Sequence, residues 1–383
     1  MNILHSIGSL DQRSGGPLRL VLDLSANATE HGIRSEILGS GPVRIADNPM
    51  PIELIHSLPI EGITSYVYSP VVRHWCRENL GRFDVVILHG LWSATNWTVS
   101  RECIAANTPY IVFPHGMLDT WPLRRQGWFK WIKKALYWYL RDRRLTAGSH
   151  AVFFTTQREL DDARLTFHLP KITPFVVAPY GVSHENENVD AKPSVSVDQG
   201  AERKIALFLG RVHPIKRLDI LIESWANADV PSNWRLVIAG PGEPVYLAQL
   251  EALARRCGIE DAVQFVGPVA GTDKRYLFQR SRWFLLPSEH ENFGVAVLEA
   301  EAGRCALAIS EQVYFADELP DGTDVLPVSE EAWTRFMRER MTDDTWHDET
   351  VRRVREHLGD RFSAEHVANE WIIQVERVIN NQR

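Results

Sequence analysis

K-I-A-L-F-L-G-R-V-H-P-I-K-R, residues 204–217, is an apolar run of strand length that ends on a glycine, crosses a cationic loop and delivers the chain to an amphipathic stretch beginning near Leu218. Such a run followed by a longer amphipathic one is one βα unit, and its repetition specifies a parallel sheet. The alternation extends in both directions. Met1–Ser6, Asp84–Leu88, Tyr110–Phe113 and Ala151–Thr155 read as buried strands upstream, and Trp234–Ala239, Val263–Val266 and Trp283–Leu286 downstream. Helix-length stretches lie between them, among them Pro17–His31, Leu218–Ala228, Pro244–Cys257 and Gly294–Gly303. The expected class is α/β, with each half of the chain its own open, doubly wound sheet.

The composition agrees: 383 residues at 44% hydrophobic and 24% charged are ordinary for a folded globular chain and exclude a disordered or fibrous one. The length suits two domains without staples. Residues 183–203 are polar, lack aromatics and precede a fresh strand, so they are read as a linker between a first domain, 1–182, and a second, 204–361. From Phe362, Val367, Trp371, Val375 and Val378 recur at helical spacing and predict a closing helix over 362–383. Cys76, Cys103, Cys257 and Cys305 are 27, 154 and 48 positions apart, which offers no C-x-x-C pair for zinc or redox exchange. No basic leader with an apolar run opens the chain, and no apolar stretch reaches the roughly 18 residues of a spanning helix. The expectation is a cytoplasmic, non-integral protein. Net charge is −7, but residues 1–181 carry 19 Lys and Arg against 15 Asp and Glu, and residues 182–383 carry 23 against 34. That balance disfavours nucleic acid as a partner and leaves a local anionic partner open for the first half.

Two α/β domains facing each other across a cleft bind ligands outside the carboxyl ends of their strands, so the chemistry is sought in loops that follow strands. After the first strand, Gly15 and Gly16 precede Pro17 and a helix, a place where backbone N–H groups approach an anion; a plain proline-started helix has the same appearance. In the quoted stretch, Arg211 and Lys216 set two cations at a strand end, which suits a diphosphate leaving group. In P-S-E-H-E-N-F-G-V-A-V-L-E-A, Glu291 and Glu299 are eight residues apart. The second falls on the helix that Gly294 opens, where a carboxylate accepts hydrogen bonds from vicinal hydroxyls. Asn292, Phe293 and Gly294 offer backbone N–H groups at that helix start. In P-H-G-M-L-D, His115 follows a strand and is a candidate donor to developing negative charge, ranked above His89 in H-G-L-W. No D-x-D occurs, so the usual carboxylate pair that anchors a metal on a nucleotide diphosphate is missing and no metal or other cofactor is expected.

Taken in order, S-G-G-P, P-H-G-M-L-D, G-R-V-H-P-I-K, A-G-P-G-E at Ala239–Glu243 and the Glu291/Glu299 pair resemble the retaining glycosyltransferases of family 4, group 1, over most of the chain. H-G-L-W before P-H-G-M-L-D looks most like bacterial members that build exopolysaccharide or lipopolysaccharide. The resemblance implies the GT-B architecture of two Rossmann-like domains, with the final helix returning to the first. It implies transfer of a sugar from a UDP- or GDP-linked donor to a hydroxyl of a glycan or polyprenyl-linked acceptor with anomeric configuration kept. Arg211 and Lys216 match the diphosphate contacts, Glu299 the ribose carboxylate and Glu291 the carboxylate near the donor sugar. Asn292 to Gly294 match the backbone segment facing sugar and phosphate, Gly16 the phosphate loop and His115 the histidine near the reacting centre. In that family the departing phosphate takes the acceptor's proton on the same face, so Glu291 is assigned to positioning and stabilisation. His213 departs from the pattern.

Residues 121–144 hold eight Lys and Arg against one Asp, and seven aromatics, four of them Trp. Trp128, Trp131, Ala135 and Trp138 recur at helical spacing, with Lys130, Lys133, Lys134 and Arg141 around them. This composition suits a helix lying on an anionic membrane surface, and suits equally a helix whose tryptophans are core and whose cations are solvated. Two other functions share the scaffold: a nucleotide-sugar epimerase, which needs no acceptor, and a non-catalytic sugar-nucleotide binding module, against which the intact cations and glutamates count. Nothing marks a lysine for a pyridoxal Schiff base, and Gly240 onward lacks the third glycine of a dinucleotide fingerprint.

Overall fold

The computed structural model describes the chain apart from residues 12–15, 46–47, 61–68, 120–127, 171–172, 183–192, 196, 198–202 and 381–383, and apart from the side chains of 30 and 128–131. The chain forms two compact units, Met1–Gly181 with Ala364–Arg383, and Val182–Ser363. Each is an α/β unit built on one all-parallel sheet, the class that the alternating runs specify.

In the first unit the strands are β1 (Asn2–Ile7), β2 (Arg34–Ser40), β3 (Ile55–Leu58), β4 (Val85–His89), β5 (Tyr110–Phe113), β6 (Ala151–Phe154) and β7 (Phe175–Val177). The helices are α1 (Gly16–Glu30), α2 (Val72–Asn79), α3 (Ala94–Ala106), α4 (Trp128–Tyr137), α5 (Arg143–Ala147) and α6 (Gln157–Phe167). The sheet runs β3-β2-β1-β4-β5-β6-β7, so strand order reverses between β1 and β4. Leu18, Val21 and Leu22 of α1 pack with Ile7, Ile37 and Ile55 in one core cluster. Leu4, Val86, Val112 and Val152 pack with Val99, Cys103 and Leu160 of α3 and α6 in another. The C-terminal helix, Ala364–Asn380, packs against α1 and buries Val367, Trp371 and Val375.

The second unit has β8 (Lys204–Leu209), β9 (Trp234–Ala239), β10 (Val263–Gly267), β11 (Trp283–Leu286), β12 (Ala306–Ser310) and β13 (Asp324–Leu326) in the order β10-β9-β8-β11-β12-β13. Its helices are α7 (Leu218–Asn227), α8 (Pro244–Arg256), α9 (Gly271–Arg280), α10 (Val295–Ala302), α11 (Glu330–Phe336) and α12 (Asp344–Leu358). Here strand order reverses between β8 and β11. Of residues 183–203, read as a linker, only 193–195, 197 and 203 are described, and they do not form a free tether. Ser194 donates its backbone N–H to Asp273 Oδ1 at 2.6 Å, and Val197 is buried.

Five strands lie outside the runs quoted from the sequence, and β2 gives the reason. Its R-S-E-I-L-G-S carries four polar residues, yet Ser35, Glu36 and Ser40 are buried. Glu36 is tolerated there because His56 Nε2 lies 2.7 Å from Oε2 and Arg82 and Arg34 reach its two oxygens at 3.0 Å. Buried polar groups supplied with partners erase the apolar signature by which a central strand is recognised.

The basic aromatic segment also differs from its sequence reading. Residues 121–127 and the side chains of Trp128, Lys130 and Trp131 lie outside the described residues. Trp138 is fully buried, donates from Nε1 to Phe167 O at 2.8 Å and packs on Phe167 at 5.1 Å, so it is a core residue and not part of a solvent-facing aromatic stripe. The exposed apolar face is rotated from it and consists of Ile132, Leu136, Tyr139 and Leu140. Among the described residues no helix is long and apolar enough to cross a membrane.

One glycine is dictated by the loops that follow β8 and β9. Gly240 has φ +136°, and a Cβ built there would sit 1.9 Å from Gly210 O. The two loops therefore cross backbone to backbone, with Gly210 N–H donating to Ala239 O at 3.0 Å and Val212 N–H to Pro241 O at 2.8 Å. Gly240→Ala meets both a backbone clash and a conformation closed to alanine. It is expected to destabilise the second unit by more than about 3 kcal/mol, read as a lowered thermal transition for residues 182–363.

Candidate active site

The crevice at a strand-order reversal is where an open parallel sheet holds a ligand, because neighbouring loops part there. In the second unit the two flanking loops are 210–217 after β8 and 287–294 after β11. These carry most of the charged residues singled out from the sequence.

Arg211 is exposed at the mouth of the first loop. Residues Pro214–Lys216 form one 3-10 turn, capped by His213, whose Nδ1 accepts from Ile215 N–H at 3.2 Å. His213 thus shapes the turn that aims Lys216 inward. Lys216 is mostly buried, its side chain 13% exposed, and its ammonium pairs with Glu291. Burial first, and then the Arg211 guanidinium, lower its pKa to about 8. A buried cation with a lowered pKa gains from an anion beside it, and among the described residues the carboxylate of Glu291 is the one it is paired with.

The second loop is fastened to the first. Glu289 N–H donates to Ile215 O at 2.8 Å, and Arg217, in a left-handed conformation with φ +50°, bridges Asp219 at 2.9 Å and Glu289 at 3.0 Å. Glu291 is set by backbone bonds to the loop after β12: its N–H to Gln312 O at 3.2 Å, and Tyr314 N–H to its carbonyl at 3.0 Å. Gly294, at φ +83°, turns the chain into α10. Phe293 is a core residue, 2% exposed and edge-on to Phe315 at 5.2 Å, so its side chain is not offered to a ligand. Phe293 and Gly294 have only backbone N–H groups to donate, and Asn292 adds its side-chain amide. Glu299 lies on α10, one quarter exposed, paired with Lys274 of α9. Lys216 and Glu291 are brought into contact; Glu299 has a different cation.

In the first unit, Gly15 lies outside the described residues. Gly16 is the first residue of α1, is exposed, and among the described residues has nothing within 4 Å of a built Cβ, so none of them demands a glycine there. His115 sits beyond β5 in a left-handed conformation, φ +54°, followed by Gly116 at +76°. Both of its ring nitrogens are occupied: Nδ1 lies 2.7 Å from Tyr180 Oη, and Nε2 lies 2.9 Å from His89 Nδ1. The open donor expected at His115 is therefore absent; His115 is part of a hydrogen-bonded chain. His89 Nε2 continues it to His5 Nδ1 at 2.9 Å. Burial lowers the pKa of His5 and of His115 to about 3, and burial together with the neighbouring rings drives His89 well below its ordinary value, so the three imidazoles are neutral.

Several contributors had no mark in the sequence reading. Glu159 Oε1 accepts Gly116 N–H at 2.6 Å while Oε2 takes Thr155 N–H at 2.7 Å and Thr155 Oγ1 at 2.6 Å, so this buried carboxylate holds the His115 turn. The spacing Thr156-x-x-Glu159 advertises a helix cap, and Thr156 Oγ1 does accept Glu159 N–H at 3.1 Å. Its glutamate is diverted to a loop 43 residues away. Asn96 pins the other turn, donating from Nδ2 to His89 O at 2.9 Å and Gly90 O at 3.0 Å. Lys274 of α9, which pairs with Glu299, and Arg217 and Glu289, which join the two loops, are the second unit's further contributors.

Comparison with known proteins finds a family match in each half of the chain. Residues 15–181 match the family described as "Glycosyl transferase 4-like domain", and residues 194–325 match "Glycosyl transferases group 1". A GDP-mannose:cellobiosyl-diphosphopolyprenol alpha-mannosyltransferase of Komagataeibacter xylinus is 26% identical over 339 residues, 84% of this chain and 78% of the relative. A D-inositol 3-phosphate glycosyltransferase of Mycobacterium ulcerans is 34% identical over 318 residues, 76% of this chain and 65% of the relative. Among solved structures, Anabaena Alr3699/HepE in complex with UDP and glucose superposes with a TM-score of 0.76 at 16% identity, covering 98% of this chain and 99% of that one. WaaG, a glycosyltransferase involved in lipopolysaccharide biosynthesis, superposes with a TM-score of 0.68 at 15% identity, covering 96% and 98%. The fold is GT-B, and with both family matches falling in order along the sequence, the chain belongs to the group 1, family 4-type glycosyltransferases.

Proposed function

We propose that this glycosyltransferase moves a sugar from a UDP- or GDP-linked donor to a hydroxyl of a glycan or polyprenyl-linked acceptor, with retention of anomeric configuration, in the building of cell-surface polysaccharide. The observation that carries the reading is the buried Lys216, paired with Glu291 and flanked by Arg211 beside the β8/β11 reversal. A donor diphosphate exchanges Glu291 for phosphate oxygens at the ammonium and adds the Arg211 guanidinium, so the charge that grows on the leaving group is met by cations already in place. The departing phosphate then takes the acceptor's proton on the face where the new bond forms, and Glu291, freed from Lys216, stands near the sugar. Glu299, held through Oε1 by Lys274, keeps Oε2 for the ribose hydroxyls. In this reading the side-chain cations neutralise the leaving-group charge without a metal ion or cofactor. A relative that acts on a diphosphopolyprenol and a fold neighbour in complex with UDP and glucose support the substrate classes.

The acceptor's lipid anchor gives a reason for a membrane-facing surface. In this reading the exposed stripe Ile132, Leu136, Tyr139 and Leu140, bordered by exposed Lys133, Arg143 and Arg144, docks the first unit on the anionic inner face of the plasma membrane. Each basic residue contributes up to about 1 kcal/mol at such a surface.

Three outcomes are expected. A thermal-shift panel of nucleoside diphosphates and nucleotide sugars gives a stabilisation of about 2.7 kcal/mol for the true donor at 100 times its dissociation constant. That shift survives EDTA, and the donor is consumed only when acceptor is present. Donor isomerised without acceptor overturns transfer, and a shift abolished by EDTA overturns metal independence.

Lys216→Ala and Glu299→Ala each lower kcat/KM by roughly 10²–10³-fold with the thermal transition kept. The needed form of Lys216 is the cation, present below its pKa, so kcat/KM falls as pH rises through about 8. Lys216→Arg, which keeps its charge, removes that alkaline limb; a limb unchanged in that variant assigns it to another group.

In liposome flotation the chain floats with anionic vesicles and not with neutral ones, and Leu136→Glu with Leu140→Glu abolishes floating. Equal failure to float with both lipids sinks the docking surface.

A further inference from the structure

His213, the residue at which the cationic loop departs from the group 1 pattern, has its imidazole fixed in one state by the backbone. Ile215 N–H, a group that can only donate, reaches His213 Nδ1 at 3.2 Å. That nitrogen is therefore bare, and a neutral ring carries its one proton on Nε2. Across the same turn Lys216 N–H donates to His213 O at 2.8 Å, so side chain and backbone of one residue both close it. A protonated ring has an N–H on each nitrogen and would set Nδ1–H against Ile215 N–H, which ends the cap. The surroundings act in the same direction: partial burial, then the Arg211 and Lys216 cations, lower the pKa of His213 from its ordinary value. Of the loops alongside, that after β11 brings Glu289 and Glu291, which pair with Arg217 and Lys216, and that after β9 brings Glu243, which is exposed.

Nε2–H is the polar group of the ring that remains. His213 is exposed, and among the described residues nothing is bonded to Nε2. It stands two positions from Arg211 and three from Lys216, on the loop that supplies both cations. A third full charge in that place would repel the other two, whereas a neutral N–H adds a donor for phosphate oxygen without that cost. A hydrogen bond from N–H to an ionised acceptor is about twice as strong as one between neutral groups.

We propose that His213 is a third donor to the diphosphate of the nucleotide sugar, bonding a phosphate oxygen through Nε2–H as a neutral imidazole while its Nδ1 holds the turn that aims Lys216. The ligand rests on the sugar-transfer reading; the tautomer follows from Ile215 alone. The two tasks of the ring are separable, because serine caps a turn through Oγ and has no N–H on its side chain.

The tautomer is read from the long-range proton–nitrogen correlation spectrum of the ¹⁵N-labelled full chain at pH 7, with His213 assigned by its loss in His213→Ser. The expected signal is a neutral Nε2–H ring, which stays neutral at saturation with UDP or GDP, whichever stabilises the unaltered chain, while its Nε2 resonance is displaced. An Nδ1–H ring, or an imidazolium in the complex, overturns the proposal. In His213→Ser the thermal transition is kept, and so is the fall in nucleoside diphosphate affinity that Lys216 sets as pH rises through about 8. The affinity itself drops roughly 10-fold at pH 7, the scale for one hydrogen bond to a charged group. Equal affinity in the variant and the unaltered chain overturns the proposal. So does a weaker affinity that comes with a displaced alkaline fall, since the turn and not the imidazole then accounts for the loss. If neither UDP nor GDP stabilises the unaltered chain, the sugar-transfer reading fails and the diphosphate role fails with it; binding by the unaltered chain with no loss in His213→Ser removes the role of His213 alone.

Discussion

In each sheet of this chain one pair of parallel strands, β1 and β4 in the first unit and β8 and β11 in the second, has its successors running outward in opposite directions. The loops leaving that pair must part, and the carboxyl ends between them are the one stretch of sheet edge left uncovered by a crossover. Polar side chains are tolerated there because a ligand or a built network supplies partners. Lys216 and Glu291 stand at one such edge, His5, His89 and His115 at the other. The remaining architecture fixes how these loops leave the sheet.

The two edges solve the cost of burial differently. In the second unit charge is kept: Lys216 is buried far enough that its pKa falls to about 8, and Glu291 serves as an internal counter-ion. Such a pair has a high desolvation cost, which in the proposed reading an incoming diphosphate offsets in exchange for the carboxylate. In the first unit charge is removed. Three imidazoles are buried until they are neutral, and their mutual hydrogen bonds replace the water they have lost. One edge keeps an ion pair, the other a neutral hydrogen-bonded chain.

Backbone proximity underlies the first arrangement. Gly240 lets the loop after β9 lie directly on Gly210, and the bonds from Val212 and Gly210 carry that support into the turn that aims Lys216. Ion pairs of Arg217 with Asp219 and Glu289 then tie the two flanking loops together. A-G-P-G-E and G-R-V-H-P-I-K thus meet at one crossing, at Gly240 and Gly210.

The sequence by itself determined the α/β class, because buried parallel strands such as Lys204–Leu209 and Trp234–Ala239 must be apolar throughout and are legible as runs. It also singled out Arg211, Lys216 and Glu291 in the loops beside the β8/β11 reversal and Glu299 on the helix that follows, because they lie in short stretches whose strand-loop-helix context is local. Tertiary structure alone decided the rest. Strand β2 was hidden because its buried Glu36 is neutralised by Arg82 and His56, far along the chain. Trp138 turned inward because Phe167 supplies its acceptor, leaving Ile132, Leu136, Tyr139 and Leu140 as the exposed face. His115 gained its partners from residues 89 and 180, and His89 its second from residue 5, brought together only when four segments of sequence enter one sheet edge. Hydrophobic period and loop chemistry are properties of neighbours along the chain, whereas the partner of a buried polar atom is a property of neighbours in space, and no spacing in the sequence encodes it.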